Sequence, residues 1–455
     1  MRTIFVTAVL LIPSVRGEPV KSVDALVEAV AAGGRIEVAE GLFELKQPLR
    51  LGAGTQLVGA GRGKTVITAA AGWKADPKTL PDPETNHAKF DKSGYLLRLA
   101  DKAEKVSVSS MTLTGPAMHG AIYGWANDAV EIRDLLIEDF MYAGIRTYKT
   151  SNARIHDCEF VDTGGRWERG APGTKGGITG GGIFVIWISD SVIFNNRFRR
   201  TREGPEHNFY GIKGRQGKRL RIHHNTIEVN FSIEFPFEND EDIEIDHNVL
   251  SGTVSIPKHA GGPVPESGRT FRIHHNLFRD TYSIEFVRNG VEIDHNLFDF
   301  DVSKDHGNLI SAFGKAPAAG PVRMHNNLIR NPGRGVIWMN EPYAGLEFVH
   351  NEVRCETTAT PRTEGLFGFN SKSDFATYVI ADNIIECRGT PRPLFRNDES
   401  AGSTVRNNRL TGITDEERYG NPQGDGSPGL EAPLAFDCGV DGETRVEGWK
   451  VKERE

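Results

Sequence analysis

The pattern of apolar and polar residues repeats along the chain, most clearly in four segments near its middle. RIHHNTIEVNFSIEF at 221–235 returns as RIHHNLFRDTYSIEF at 272–286, and IEIDHNVLSG at 243–252 resembles VEIDHNLFDF at 291–300. Each copy alternates apolar and polar residues, and one asparagine interrupts the alternation. A period of two residues predicts two short strands joined at a tight bend. Asparagine suits this bend because it tolerates a left-handed backbone and its side chain can bond nearby backbone groups.

The bend asparagine recurs at intervals of 20 to 32 residues over nearly half of the chain. Such a period predicts a solenoid of stacked coils. Segments such as GIFVIW and GVIWMN are short, β-branched and aromatic, so they predict strands rather than helices. We therefore expect an all-β fold, a single-stranded right-handed parallel β-helix of the pectate-lyase type with about three strands per coil. The bend residues are Asn196, Asn225, Asn248, Asn276, Asn296, Asn327, Asn351, Asn383 and Asn408.

The first 33 residues differ from the repeat. Residues 1–17, MRTIFVTAVLLIPSVRG, resemble a secretory signal peptide and are too short for a stable membrane anchor, which predicts a secreted or periplasmic protein. Alternatively, residues 1–17 form a buried first strand of the fold and not a signal peptide. Residues 18–33 contain SVDALVEAVAA, which has helical spacing, a capping Ser22 and a terminating Gly33. We expect this helix to cap the open end of the solenoid.

The repeat extends over residues 34–413, and residues 414–455 lack it. This tail is expected to pack on the solenoid or to cap its far end. Two cysteines, Cys355 and Cys387, each lie four residues past a bend asparagine. They should stack about 4.8 Å apart, and both a disulfide and a pair of buried thiols remain open.

Composition narrows the class of partner. The net charge is −7 for 455 residues, with 38% hydrophobic and 25% charged residues, so a nucleic-acid partner is not indicated. No apolar run after the first 17 residues is long enough for a membrane helix. The oligomeric state cannot be inferred.

One strand of each coil is flanked by variable loops on both sides, and such a strand is the natural floor of a ligand groove. Aligning its copies places one apolar residue inward and the next residue outward. The outward charged residues could instead be ordinary solvated surface charges. Glu234 and Glu285, however, both lie in an apolar SIEF context, where an exposed charge gains little. The outward column comprises Arg146, Phe184, Lys213, Glu234, Ser255, Glu285, Ser311 and Trp338.

This column suits a lyase. A base removes the proton alpha to a uronate carboxylate, and a cation neutralises that carboxylate. Lys213 is the candidate base, and Arg215 or Arg288 can clamp the carboxylate. The acidic residues Glu234, Glu238 and Glu285 can hold Ca²⁺, which prefers oxygen ligands. The predicted substrate-binding residues are Arg146, Trp167, Phe184, Arg215, Lys258, His259 and Trp338, with Lys258 and His259 as a second possible base.

Two other functions remain open. Glu234 and Glu285 could be the acid and base of an inverting glycoside hydrolase, because two coil spacings of about 4.8 Å leave room for a water. The third hypothesis is a carbohydrate-binding β-helix without catalytic activity.

The coil pattern and the column together resemble secreted polysaccharide-degrading β-helix enzymes, most nearly the chondroitinase B and alginate lyase family. In that family a lysine base, an arginine and often a calcium held by acidic residues lie on such a sheet. The family's Arg-His-Gly segment is matched in FVRNG at Arg288, with Asn289 in the place of histidine. The resemblance implies a polysaccharide lyase whose substrate is an acidic, uronate-containing polysaccharide.

Overall fold

A computed structural model describes thirteen stretches of the chain, and the structural statements below concern these residues. The predicted signal peptide and nearly all of the predicted tail lie outside them. The described residues are 18–75, 92–164, 179–202, 208–235, 240–256, 270–279, 284–285, 290–301, 307–312, 322–339, 344–356, 364–396 and 402–415.

One α-helix, one short 3-10 helix at Lys92–Gly94 and 38 strands make up the regular structure of the described residues. Helix α1 spans Val23–Ala32. The strands are β1 Arg35–Glu37, β2 Gly41–Leu45, β3 Leu49–Leu51, β4 Gln56–Val58, β5 Thr65–Ala69, β6 Tyr95–Leu99, β7 Ser107–Thr114, β8 Gly120–Trp125, β9 Glu131–Glu138, β10 Ala143–Tyr148, β11 Arg154–His156, β12 Glu159–Val161, β13 Thr179–Ile186, β14 Ser189–Phe194, β15 Arg197–Arg199, β16 Asn208–Arg215, β17 Lys218–His223, β18 Thr226–Glu228, β19 Phe231–Glu234, β20 Glu241–Asp246, β21 Val249–Leu250, β22 Thr253–Ser255, β23 Phe271–His274, β24 Leu277–Arg279, β25 Ile284–Glu285, β26 Val291–Asp294, β27 Leu297–Asp299, β28 Asn308–Ala312, β29 Val322–His325, β30 Leu328–Arg330, β31 Gly335–Met339, β32 Ala344–Val349, β33 Glu352–Cys355, β34 Phe367–Gly368, β35 Asp374–Ala381, β36 Ile384–Cys387, β37 Thr404–Arg406 and β38 Arg409–Thr411.

The strands form a parallel β-helix, as the repeat predicts. Strands of successive coils pair in parallel, for example β17 with β20 and β20 with β23. Twenty-six strands form one bent sheet, and twelve form a second sheet, which we call the floor sheet. The bent sheet has two arms that meet at the bend asparagines, so each regular coil contributes three strands.

The interior of the coil is filled by stacked apolar side chains. On the floor sheet, Ile145, Ile183, Ile212 and Ile233 occupy one register position in successive coils and are completely buried. Each strand alternates, so the residue after each isoleucine faces away from this core. This alternation fixes the orientation of the candidate site.

The bend asparagines form a buried hydrogen-bonded ladder. The backbone and side-chain amides of Asn248 donate to Oδ1 of Asn276, at 3.0 and 2.9 Å. Asn276 donates in the same way to Asn296 in the next coil. The amide side chains therefore satisfy backbone and side-chain groups at a bend that is shut off from water.

The left-handed backbone does not lie on these asparagines, so that part of the sequence prediction is wrong. The residue before each asparagine has positive φ, for example 54° at His224 and 55° at His275. The asparagine itself turns inward to join the ladder, and the preceding side chain points outward at the bend. The rings of His224, His247, His275 and His295 consequently stack at centroid spacings of 5.0 to 5.2 Å.

Helix α1 lies at the N-terminal end of the coil, where the sequence predicts a cap. Ser22 Oγ accepts a hydrogen bond from the backbone amide of Ala25, and Gly33 follows the helix with φ of 78°. Leu26 and Val30 are buried in the same apolar core as the first coils. The helix therefore shields the first strands from solvent.

We call the arm of the bent sheet that precedes each bend asparagine the first arm. On its outer surface, charges of opposite sign alternate from coil to coil. One register position reads Arg221, Glu244, Arg272, Glu292, Arg323 and Glu347 in successive coils. The position two residues along reads His223, Asp246, His274, Asp294 and His325. Both series repeat every two coils, in agreement with the two-coil repeat in the sequence.

The described helix is too short and too polar to cross a membrane, and no other helix in these residues could do so.

Cys355 and Cys387 are register partners in β33 and β36, and both are buried free thiols.

Candidate functional site

The floor sheet brings the predicted outward residues into one register column. Arg146 pairs with Phe184, Phe184 with Lys213, and Lys213 with Glu234. The column continues through Ser255, Glu285, Ser311 and Trp338. We call this set the Arg146–Trp338 column. Tyr123 and Gly368 extend it at its two ends, and the sequence analysis did not include them.

The column is not the open trough that the sequence predicts. Arg146 is completely buried, and Lys213 and Glu234 are only 7% and 6% exposed. Part of the reason is that this face carries an apolar cluster of its own, separate from the interior core. That cluster comprises Tyr95, Tyr123, Tyr142, Ala143, Tyr148, Phe184 and Ile186. Burial raises the pKa of the Tyr95 and Tyr123 phenols, so both stay protonated near neutral pH.

Lys213 and Glu234 form a buried ion pair at the middle of the described site. Lys213 Nζ lies 2.6 Å from Glu234 Oε2, and the two residues are register partners in β16 and β19. The ammonium group also lies 4.1 Å from the centroid of the Tyr210 ring. The contact is an ion pair and not an aligned hydrogen bond, because Glu234 Oε2 has no hydrogen-bond partner in the described chain.

Among the residues that the structure describes, Arg146 is a buried cation without a counter-ion. Its guanidinium carbon lies 3.8 Å from the centroid of the Phe184 ring and 4.6 Å from that of Tyr148. Nη1 donates to the Phe184 carbonyl at 3.4 Å, but Nε and Nη2 are buried without a hydrogen-bond partner. A buried charge is costly unless it is paired, so this position favours an anion.

Three cationic side chains converge on the Phe184 ring. Arg146, Lys213 and Arg215 lie 3.8, 5.5 and 6.0 Å from its centroid. Glu234 neutralises Lys213, and Arg215 makes further interactions of its own, so Arg146 is the cation that favours an added anion. This end of the column can therefore hold a negatively charged group of a ligand.

The other half of the column is more open and less basic. Glu285 is half-buried and accepts a hydrogen bond from Ser255 Oγ at 3.1 Å. Trp338 is also half-buried, and the guanidinium carbon of Arg396 lies 4.1 Å from its ring centroid. Glu234 and Glu285 are thus two coils apart, with Ser255 between them.

Several predicted site residues lie outside the described residues. They are Trp167, Glu238, Lys258, His259 and Arg288. Their roles stay predictions.

Two groups of side chains in the described residues have the composition and spacing of a metal site. They are Glu244, Asp246 and His274, and Glu292, Asp294 and His325, and in each group the ligand atoms lie within 4.8 Å of one another. Neither contains Glu234 or Glu285. Arg221 binds both oxygens of Asp246 and Arg272 binds both oxygens of Asp294, so the arginines already neutralise these carboxylates. Calcium at Glu234 and Glu285 stays a prediction.

A polar cavity of about 410 Å³ lies elsewhere, near the ends of β9, β12 and β15. Asp139 and Asp162 line it and are already bound, Asp139 by Arg202 at 2.8 Å and Asp162 by Thr201 Oγ1 at 2.5 Å. None of its lining residues belongs to the Arg146–Trp338 column.

Comparison with known proteins agrees with the fold. Residues 120–305 match the family model described as the right handed beta helix region, and the molecule is a right-handed parallel β-helix. The tailspike protein of E. coli bacteriophage HK620, solved with a pentasaccharide, is similar in structure with a TM-score of 0.54 and 9% sequence identity. The similarity covers 88% of this chain and 76% of the tailspike chain.

A double mutant of the same tailspike, also in complex with a pentasaccharide, gives a TM-score of 0.52 at 8% identity over the same shares of the two chains. No curated protein sequence matches this chain. At these identities the similarity establishes the fold and not the activity.

Proposed function

We propose that this protein binds an acidic polysaccharide along the Arg146–Trp338 column and cleaves it by β-elimination. The observation that carries the proposal is Arg146, a fully buried guanidinium with two unsatisfied nitrogens beside the Lys213–Glu234 pair. A uronate carboxylate would supply the missing negative charge in the planar geometry that arginine prefers. The pentasaccharide in the HK620 tailspike complex supports a sugar chain as the ligand of such a coil.

In this mechanism Arg146 neutralises the uronate carboxylate, so that charge can build up as C5 loses its proton. Glu234 accepts the C5 proton, the bond from C4 to the glycosidic oxygen breaks, and a C4–C5 double bond forms. Lys213 donates a proton to the leaving oxygen. Once the two groups align, the proton on Glu234 passes to neutral Lys213, whose Nζ lies 2.6 Å from Oε2 in the free protein, and the pair is restored.

These roles differ from the sequence prediction, in which Lys213 is the base. The ion pair is the reason, because an ammonium group has no lone pair to accept a proton, whereas the carboxylate of Glu234 has.

The compact pair also limits the stereochemistry. Acceptor and donor lie 2.6 Å apart, so both proton transfers take place on one face of the sugar and the elimination is syn. Gluco- and manno-configured uronates have H5 and O4 on the same face of the ring. Galacturonate, guluronate and iduronate have them on opposite faces. We therefore propose glucuronate- or mannuronate-containing polymers as substrates.

The buried state of the pair sets a condition on the proposal. Lys213 and Glu234 must become accessible to a bound sugar, although both are below a tenth exposed. Acetylation of Lys213, followed by mass spectrometry with and without polymer, measures this access. An unreactive lysine that no polymer affects would contradict the proposal.

The deciding experiment incubates the full chain with polymers of all five uronates and with neutral glycans. Ultraviolet absorbance detects the unsaturated product, and a parallel assay counts reducing ends. We expect absorbance with glucuronate or mannuronate polymers, and at least a hundredfold loss of rate in Glu234→Gln and Lys213→Met. Glu285→Gln should slow the reaction far less than Glu234→Gln, because Glu285 takes no part in either proton transfer.

An inverting hydrolase is the second candidate. Glu234 and Glu285 lie two coils apart, which places their backbones about 9.6 Å apart and allows a water between the carboxyl groups. New reducing ends without absorbance, abolished by either Glu→Gln change, would favour it. Binding without either signal would favour a carbohydrate-binding coil without catalysis. Loss of activity with chelator and recovery with Ca²⁺ would support the predicted metal.

A further inference from the structure

Trp187 is an exposed aromatic side chain at the edge of the floor sheet. Its side chain is the single aromatic one among the exposed large hydrophobic residues of the described chain, at 39% exposure. It follows the last residue of β13, at the bend where the chain leaves this sheet. It is therefore accessible, whereas Arg146, Lys213 and Glu234 in the neighbouring part of the column are buried.

The backbone at Trp187 is left-handed, with φ of 52°. Ala126, Lys149 and Gln216 occupy the same bend in neighbouring coils with φ of 52°, 50° and 53°. A bulky aromatic residue is rare in this conformation, which costs about 1–2 kcal/mol for residues with a side chain other than Asn or Asp. A tryptophan kept at a bend that disfavours it points to a role for its side chain.

Lys149 adds an unpaired positive charge beside Trp187. Its Nζ lies 5.3 Å from the Trp187 ring centroid and 5.5 Å from that of Trp125. Lys149 is exposed, and no carboxylate in the described chain pairs with it. The ammonium group thus lies between two indole rings and remains available to an anion.

These residues adjoin the proposed catalytic end of the column. The Tyr148 ring lies 5.9 Å from Trp187 and 5.0 Å from Trp125, centroid to centroid. The guanidinium carbon of Arg146 lies 4.6 Å from the centroid of the same Tyr148 ring. The aromatic contacts therefore form a continuous path from the exposed bend to the buried arginine.

We propose that Trp187, Lys149 and Trp125 form a binding subsite for one acidic pyranose residue. The apolar face of the sugar ring stacks on the Trp187 indole, and the sugar carboxylate pairs with the Lys149 ammonium. The inference deepens the proposed function and rests on it, since it assumes that the ligand is an acidic polysaccharide. It adds a contact that is reachable from solvent beside the buried end of the column, at Arg146 and Lys213.

The test uses Trp187→Asn, because asparagine favours the left-handed conformation and should not weaken the bend. Titration calorimetry with oligoglucuronate and oligomannuronate should show about a tenfold loss of affinity. Urea unfolding should show that the variant is at least as stable as the natural chain. Gln216→Asn, at the same bend one coil further on, is the matched control and should bind normally.

Lys149→Gln should weaken binding of acidic oligosaccharides several-fold and leave any binding of neutral oligosaccharides unchanged. Unchanged affinity in Trp187→Asn would overturn the subsite and leave the elimination proposal standing. Binding without unsaturated product, weakened by Trp187→Asn, would overturn elimination and support the subsite. If the natural chain binds no acidic oligosaccharide, both proposals are wrong.

Discussion

Replacing Arg146 by methionine should stabilise the free protein and abolish its response to acidic polysaccharide. The guanidinium is completely buried and its Nε and Nη2 have no partner, so removing it relieves about 1–3 kcal/mol for each unsatisfied group. The contacts with Phe184 and Tyr148 are lost, at about 0.5–2 kcal/mol each. Methionine is flexible and fills most of the space. The net expectation is a gain of about 1–2 kcal/mol in the free energy of unfolding.

Urea unfolding with and without an excess of polyglucuronate or polymannuronate measures both effects. The natural chain should be stabilised by the polymer through mass action, and Arg146→Met should not be. A ligand-binding role and a merely structural role thus predict opposite signs for the change in stability of the free protein.

Arg392 provides the matched control. It is also buried, but its guanidinium donates to the carbonyls of Gly333, Arg334 and Glu364. Arg392→Met should therefore destabilise the protein by about 2–4 kcal/mol and leave the response to polymer intact. If Arg146→Met destabilised the protein to a similar extent and still responded to polymer, the inference of an unpaired, ligand-seeking cation would be wrong.

The remaining predictions concern the outer surface and the ladder. Asn276→Ala should cost about 3–5 kcal/mol in urea unfolding, because it removes the side-chain bonds to the buried backbone and side-chain amides of Asn248 and to the carbonyl of Ile245. Arg272→Met should cost about 3–5 kcal/mol, because it leaves the buried Asp294 carboxylate without its bidentate partner; an effect below 1 kcal/mol would contradict this. Burial lowers the pKa of His275 to about 4, so the unfolded chain binds more protons between pH 6.5 and 4, and this contribution to stability is lost as the pH falls through that range. His275→Asn, which copies Asn326 at the equivalent bend, should flatten the pH dependence of the urea midpoint over that range.

The coil and the register of the column could be predicted from the sequence because both depend on local patterns. The recurring asparagine defines the length of each coil, and the inward isoleucines of the floor sheet fix which residue of each strand faces outward. Lys213, Glu234 and Glu285 therefore fall at the register positions that the alignment of strands predicts.

Burial and conformation could not be predicted in the same way. Exposure of Lys213 depends on what packs against the outer face, and a strand pattern carries no information about that contact. The positive φ of His224 belongs to the residue before the asparagine, because the amide side chain has to turn inward to bond the next coil. Trp187 escaped notice because its sequence context is apolar and ordinary. Its bend position becomes evident only beside Lys149 and Gln216 in neighbouring coils.

The alternating charges on the first arm have a consequence for how such a chain can lengthen. Arg221 lies against Glu244, which lies against Arg272, and the series continues with alternating sign. Duplicating a single coil would set glutamate on glutamate and aspartate on aspartate, or arginine on arginine and histidine on histidine. Duplicating two adjacent coils would preserve every attraction. Duplications that lengthen this region should therefore add an even number of coils, and coils inserted in pairs should be tolerated.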